Sequence, residues 1–243
     1  MYPIDRHYRQ WVQSELRSFQ VKIEQSDLLI SAERELKESA EQALRRVRAE
    51  LEAYTQSDSD FAASLEPYEP LPDAAPIIRR MAEAARLCGV GPMAAVAGAV
   101  AQYVGEALLS ESGQVIVENG GDIFLHTAYP RSAAVFAGDS PLSGRLAVRI
   151  NLVNRPLGLC TSSGTVGPSL SFGGADAAIV LADSTPLADA AATALGNRIH
   201  GESDIEPTLE FAQSISGVLG AAVILGENLG AWGEMSLVPV SPV

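Results

Sequence analysis

Lysine is nearly missing from this chain of 243 residues: of its 17 basic side chains only Lys22 and Lys37 are lysines. No lysine is therefore available downstream for a phosphate-binding P-loop or for a Schiff base. Basic charge is scarce altogether. Seventeen Lys and Arg stand against 30 Asp and Glu, a formal charge of −13, and such a surface repels a phosphate backbone, which excludes nucleic acid as the expected partner. Cysteine is limited to Cys88 and Cys160, with no Cys-x-x-Cys pair, so neither a zinc cluster nor a disulfide framework is expected. The three histidines, His7, His126 and His200, fall in no ligand spacing. Neither G-x-G-x-x-G nor G-x-S-x-G occurs, which leaves dinucleotide-fingerprint and nucleophile-elbow chemistry without support. Long apolar runs are lacking too. The longest uncharged stretch, 90–105, is interrupted by Pro92 and Gln102 and falls below the about 20 apolar residues of a membrane span. The polar first eleven residues have no apolar signal-peptide core. The resulting expectation is a cytoplasmic protein with no membrane partner.

What is present is a globular composition, 47% hydrophobic and 19% charged, long enough for one domain with a real core. The expected organisation is a single domain over 1–243. Residues 18–24 and 27–31 read as two strands about a turn at Gln25 and Ser26. Leu36, Ala40, Leu44, Val47, Leu51 and Tyr54 share one face of a helix over 35–54. A linker at about 56–76 holds Pro67, Pro70, Pro72 and Pro76 and no basic residue, and is expected to wrap the surface in extended form. Helices are expected over 77–88, ended by Gly89, and over 93–109, opened by Pro92. Strands follow at 114–118, 123–126, 133–137, 145–152, 157–160 and 177–182, then helices at 187–199 and 206–215, and a closing hairpin of 217–225 with 231–238. Strands in the middle with Ala-rich helices laid on them read as α+β with a mostly antiparallel sheet. Between 88 and 197 there are only twelve charged side chains, alongside most of the glycines. That combination marks backbone packed closely against itself or a ligand.

Three clusters in this stretch carry chemistry. Asp189 and Thr193 lie at i and i+4 on an Ala-rich helix, so carboxylate and hydroxyl share a face. Such a pair suits Mg²⁺, which takes oxygen ligands; alternatively Asp189 complements the positive end of its own helix. Glu118, Asn119, Gly120, Gly121 and Asp122 sit between two apolar runs, with Asn-Gly as a two-residue hairpin turn or the doubled glycine as a place where a ligand reaches the backbone. Thr161, Ser162, Ser163, Gly164 and Thr165 follow a strand and can offer hydroxyls and N–H groups to phosphate oxygens, or form a surface turn. Cys160 heads that loop. It is a candidate thiol nucleophile, for instance in sulfur handling, or a buried structural cysteine.

Taken together, Val-Gly-Pro-Met-Ala-Ala-Val-Ala-Gly at 90–98, Val-Glu-Asn-Gly-Gly-Asp at 117–122, Cys-Thr-Ser-Ser-Gly at 160–164 and Ala-Asp-Ala-Ala-Ala-Thr at 188–193 resemble the ApbE-like superfamily, in an uncharacterised branch. Its known members are magnesium-dependent flavin transferases that move FMN from FAD to a Thr or Ser of an acceptor protein. The resemblance runs from about Tyr8 to Val238. It implies a duplicated α+β fold, FAD and Mg²⁺ as cofactors, Asp189 and Thr193 as metal ligands, and Gly120–Asp122 with Thr161, Ser162 and Gly164 at the nucleotide. It also exposes a departure. The histidine tied to transferase catalysis has no counterpart, and Pro168 stands where branch relatives carry His. A flavin- or nucleotide-binding enzyme acting on a pyrophosphate bond and a non-catalytic binding or accessory protein on the same fold both stay open. The Ala- and Gly-rich helices suit close packing within the chain or against a second copy, so a homodimer is open as well.

Overall fold

The computed structural model describes residues 15–163 and 173–240. An antiparallel sheet of eight strands forms the middle layer. It is built from β1 (Arg17–Ile23), β2 (Ser26–Ala32), β3 (Val115–Asn119), β4 (Asp122–His126), β7 (Leu157–Ser162), β8 (Ala177–Ala182), β9 (Val218–Leu225) and β10 (Asn228–Gly233), paired in that order. A second antiparallel sheet pairs β11 (Ser236–Pro239), β6 (Leu146–Ile150) and β5 (Arg131–Ala134) in the order β11-β6-β5. Helices α1 (Lys37–Ser57), α3 (Pro76–Cys88), α4 (Val96–Leu108), α5 (Thr185–Arg198) and α6 (Ile205–Ser214) cover the first face of the large sheet, with a short α2 (Ser59–Ala63) beside α1. The fold is thus α+β with mainly antiparallel sheets.

β8 shows why the sequence takes this form. All six of its residues, Ala-Ala-Ile-Val-Leu-Ala, are buried. Ala178, Val180 and Ala182 join the core under the helices, whereas Ala177, Ile179 and Leu181 join a second core with Val135, Val148 and Ile150 of the small-sheet layer. A strand covered on both faces needs an unbroken apolar run, and the two-residue period of the pleat deals alternate side chains to opposite layers.

Most expected elements lie within a few residues of their observed places, and the differences have local causes. The first hairpin turns at Glu24 and Gln25, because Ile23 pairs with Ser26. The supposed linker is partly helical: α1 continues to Ser57, Asp58 caps α2 by accepting the Phe61 N–H, and Phe61 is fully buried between Tyr54 and Tyr68. Proline content masked this, since the prolines begin only at Pro67. Pro92 opens a 3₁₀ turn, Pro92–Ala95, before α4 begins at Val96. The closing hairpin of β9 with β10 is present, but the expected second strand divides. Its last part leaves the large sheet and pairs with β6 as β11. No single helix among the described residues is long and apolar enough to cross a membrane. The α3–α4 pair passes on composition only jointly, and it bends by 105° while lining the core.

Candidate functional site

The β3–β4 hairpin closes with Asn119 opposite Asp122, so the two turn residues are Gly120 and Gly121, not Asn119 and Gly120. Both have positive φ, 69° and 110°, as a primed two-residue turn requires and as glycine alone adopts without strain. The turn is pinned from two sides. Glu118 Oε1 accepts the Gly121 N–H at 2.9 Å, and Asn119 Nδ2 donates to the Ala97 carbonyl at 3.0 Å. A side chain at Gly120 would meet nothing within 4 Å, so one face of this turn is open.

β4 and β7 are neighbours in the sheet, with Ile123 opposite Leu159. Continuing that register places Asp122 beside Cys160 and Gly121 beside Thr161, and the Thr161 carbonyl lies 3.9 Å from where a Gly121 Cβ would be. Two of the sequence clusters therefore meet at one end of adjacent strands. Thr161, Ser162 and Ser163 are half-buried there. Gly164, Thr165 and Pro168 lie outside the described residues.

α5 brings the third cluster. From Thr185 to Gly196 every residue is buried except Asp189 and Thr193, which are half-buried. A helix enclosed on all sides thus opens at two positions one turn apart, the carboxylate and the hydroxyl. Asp189 Oδ2 accepts the Gly98 N–H at 2.8 Å and the carboxylate also takes the Ala97 N–H. These donors belong to the first turn of α4, so Asp189 complements the positive end of that helix rather than of its own. The contact needs Gly98: a Cβ there would lie 2.5 Å from the Thr185 carbonyl oxygen and 2.9 Å from Asp189 Cβ. The Thr193 hydroxyl has no hydrogen-bond partner among the described residues.

The charge of Asp122 acts on the Asp189 carboxyl. Burial pushes Asp122 up to about 7; the Glu118 carboxylate adds to this, and hydrogen bonds from the Cys160 thiol and the Thr161 N–H oppose it. Asp189 is held well above the usual carboxylate range by burial and then by the Asp122 charge, against the Gly98 and Ala97 N–H groups. Two desolvated carboxyls that cannot both ionise at low cost, beside a hydroxyl with no partner among the described residues, fit a hard divalent cation. Among the described residues no three His, Cys, Asp or Glu side chains gather around a common point. A cation here would complete its shell with water or ligand oxygens, as Mg²⁺ commonly does.

Cys160 is fully buried, with Sγ 3.5 Å from the Thr185 carbonyl oxygen. Burial and then the Asp122 and Asp189 charges push its thiol well up, the opposite of what an attacking thiolate needs. The thiol reading gains nothing from this placement. What sequence reasoning missed is the α4 side of the site, the Ala97 and Gly98 backbone. Its one legible signal was glycine inside a helical Ala run. Three cavities of about 460, 460 and 570 Å³ lie elsewhere, along α1, α3, α4, the N-terminal end of α5 and the segment before α3. None of them is lined by Asp122, Asp189 or Thr193.

Comparison with known proteins agrees with this geometry at the level of fold. The family model described as AbpE bacteria matches residues 9–229. A UPF0280 protein of Methanocella arvoryzae is 46% identical over 191 residues, covering 78% of each chain. One from Methanosarcina barkeri is 43% identical over 204 residues, covering 82% of this chain and 79% of its own. Among solved structures, the flavin transferase ApbE from Vibrio cholerae superposes with a TM-score of 0.60 at 14% identity, covering 90% of this chain and 97% of that one. The apo flavinyl transferase ApbE of Pseudomonas stutzeri gives 0.58 at 15% identity, over 92% and 96%. At that identity the likeness establishes the ApbE-like fold.

Proposed function

We propose, from the premise that this chain belongs to the family described as AbpE bacteria, that it binds a flavin nucleotide, FAD, together with Mg²⁺ and acts on the pyrophosphate bond. The observation that carries this is α5, buried from Thr185 to Gly196 except at the half-buried Asp189 and Thr193, whose carboxylate and hydroxyl share a face one turn apart. Asp189 and Thr193 hold the cation, and Asp122 lends a second negative charge close by. When bound, the cation neutralises charge on the pyrophosphate. Gly120 and Gly121 let the nucleotide approach the β3–β4 backbone, and Thr161, Ser162, Ser163, Gly164 and Thr165 offer hydroxyl and N–H donors to its phosphates. Glu118 and Asn119 orient the turn. The chain is one ApbE-like domain working in the cytoplasm, and its group acceptor is a protein hydroxyl.

One observation favours a second reading. Pro168 occupies the place where the resemblance leads one to expect a histidine, so the protein would bind the nucleotide without transferring from it. A thermal-shift titration with FAD and MgCl₂ tests the shared binding step. Stabilisation of the wild type and its loss in Asp189→Ala support it; no shift, or the same shift in the variant, refutes it. Flavin covalently attached to an acceptor protein would then remove the second reading.

A further inference from the structure

Charge on this chain is divided by layer. Between Thr127 and Arg155 the sequence carries four arginines, Arg131, Arg145, Arg149 and Arg155, and a single acid, Asp139, in a chain of formal charge −13. That segment builds β5 and β6 of the small sheet. Every ion pair among the described residues lies earlier in the chain: Arg34–Glu111, Arg46–Glu50, Arg48 with Glu24 and Glu52, Arg80–Glu106 and Arg86–Glu83. The four arginines have no carboxylate partner among those residues. Arg131 Nη2 reaches Gln114 Oε1 at 3.2 Å while its buried Nε is left without a partner, and Arg149 Nε donates to Asn151 Oδ1 at 3.3 Å.

Register decides which way they face. Leu146, Val148 and Ile150 of β6 turn into the core between the sheets, and Arg131, opposite Ile150, faces inward with them, whereas Arg145, Ala147 and Arg149 face the other way. The Val240 N–H donates to the Arg145 carbonyl at 2.8 Å, which extends the β6–β11 ladder to that residue. Around them the floor is low. Arg149 is flanked by Ser132 and Ser236, and Ala147 by Ala134 and Val238. Two exposed aromatic side chains, Tyr129 and Phe136, bracket β5. Four residues along a strand separate the two guanidinium-bearing positions by about 13 Å. One carboxylate or phosphate cannot bridge that distance, whereas an extended chain carrying several carboxylates can.

We propose that this outer face of the small sheet docks an extended acidic segment of a partner protein. Charge complementarity names the occupant: guanidiniums with no carboxylate partner among the described residues, standing over small, half-apolar neighbours, recognise carboxylates by forked hydrogen bonds and the chain between them by surface contact. The inference does not depend on flavin binding.

The test is fluorescence anisotropy with a labelled ten-residue peptide of alternating Glu and Val, at about 50 mM and about 300 mM salt. Wild type binds, and weakens with salt. R145E/R149E binds at least about tenfold more weakly, melts like wild type because both side chains are exposed, and keeps the wild-type response to FAD. Arg45→Glu, an exposed reversal on α1, leaves peptide binding unchanged. No binding by wild type, an equal loss in Arg45→Glu, or tighter binding of an oligouridylate of the same length overturns the proposal.

Discussion

Raising the pH should weaken the metal-free protein in a window where ordinary carboxylates are silent. Asp122 stands at about 7 in the folded chain against 3.8 when free, a difference of roughly 4 kcal/mol between its protonation states. A carboxyl raised by folding contributes stability that is complete below its free value and is lost as pH climbs through its folded value. Of that loss, roughly 2.5 kcal/mol falls between pH 5 and pH 8. Asp189, also raised, acts in the same direction. The lowered carboxyls, Asp58 and Glu83, lose their contribution only as pH falls below about 4.5, outside this window. The assay is urea denaturation at pH 5, 6, 7 and 8, in EDTA and in about 10 mM MgCl₂. In EDTA, stability should drop across the series. Mg²⁺, which binds the ionised pair, should restore more at pH 8 than at pH 5. Asp122→Asn should flatten the EDTA series. Stability that is level or rising from pH 5 to pH 8 in EDTA, or a variant with the wild-type slope, refutes the electrostatic reasoning.

The two proposed metal ligands should separate by their structural roles. Asp189→Ala removes the acceptor for the Gly98 and Ala97 N–H groups and should cost about 1–2 kcal/mol by denaturation, besides ending the Mg²⁺ response. Thr193→Val, whose hydroxyl bonds to no described residue, should cost under about 1 kcal/mol yet weaken the Mg²⁺ response; an unchanged response would remove Thr193 from the site. Gly98→Ala forces a methyl to 2.5 Å from the Thr185 carbonyl oxygen, so α4 and α5 must part at about 1–3 kcal/mol, seen as a lower melting temperature and lost nucleotide binding together. Gly120→Ala meets open space but a φ of 69°, and should cost about 1 kcal/mol with the fold intact by circular dichroism. Native Cys160 should resist thiol reagents until urea unfolds the chain, and rapid alkylation of the folded protein would revive the thiol reading.

Much of this arrangement was legible in sequence because it is local. The α1 face, Ala40, Leu44, Val47, Leu51 and Tyr54, is the buried face observed, since one period of 3.6 residues decides it. The Asp189 and Thr193 pair needed only helical spacing. What escaped were facts set by tertiary register. Asn-Gly and Gly-Gly are equally good hairpin turns, and only the pairing of Asn119 with Asp122 chooses between them. The proximity of Asp122 to Asp189 depends on how α5 packs against β7 and β4, which no local pattern encodes. β10 and β11 read as one strand because no proline interrupts 231–238, although the inward positions slip phase between Trp232 and Met235, where the chain leaves one sheet for the other. Phe61 looked like a linker residue because a five-residue helix is too short to show a period.

The most direct measurement is anomalous diffraction from crystals grown with FAD and Mn²⁺ as the Mg²⁺ surrogate. The expected result is one strong peak within about 2.0–2.3 Å of an Asp189 carboxylate oxygen and the Thr193 hydroxyl, with pyrophosphate density between it and the Gly120–Gly121 turn. A nucleotide bound elsewhere, or a metal peak that ignores Asp189 and Thr193, contradicts the proposed site.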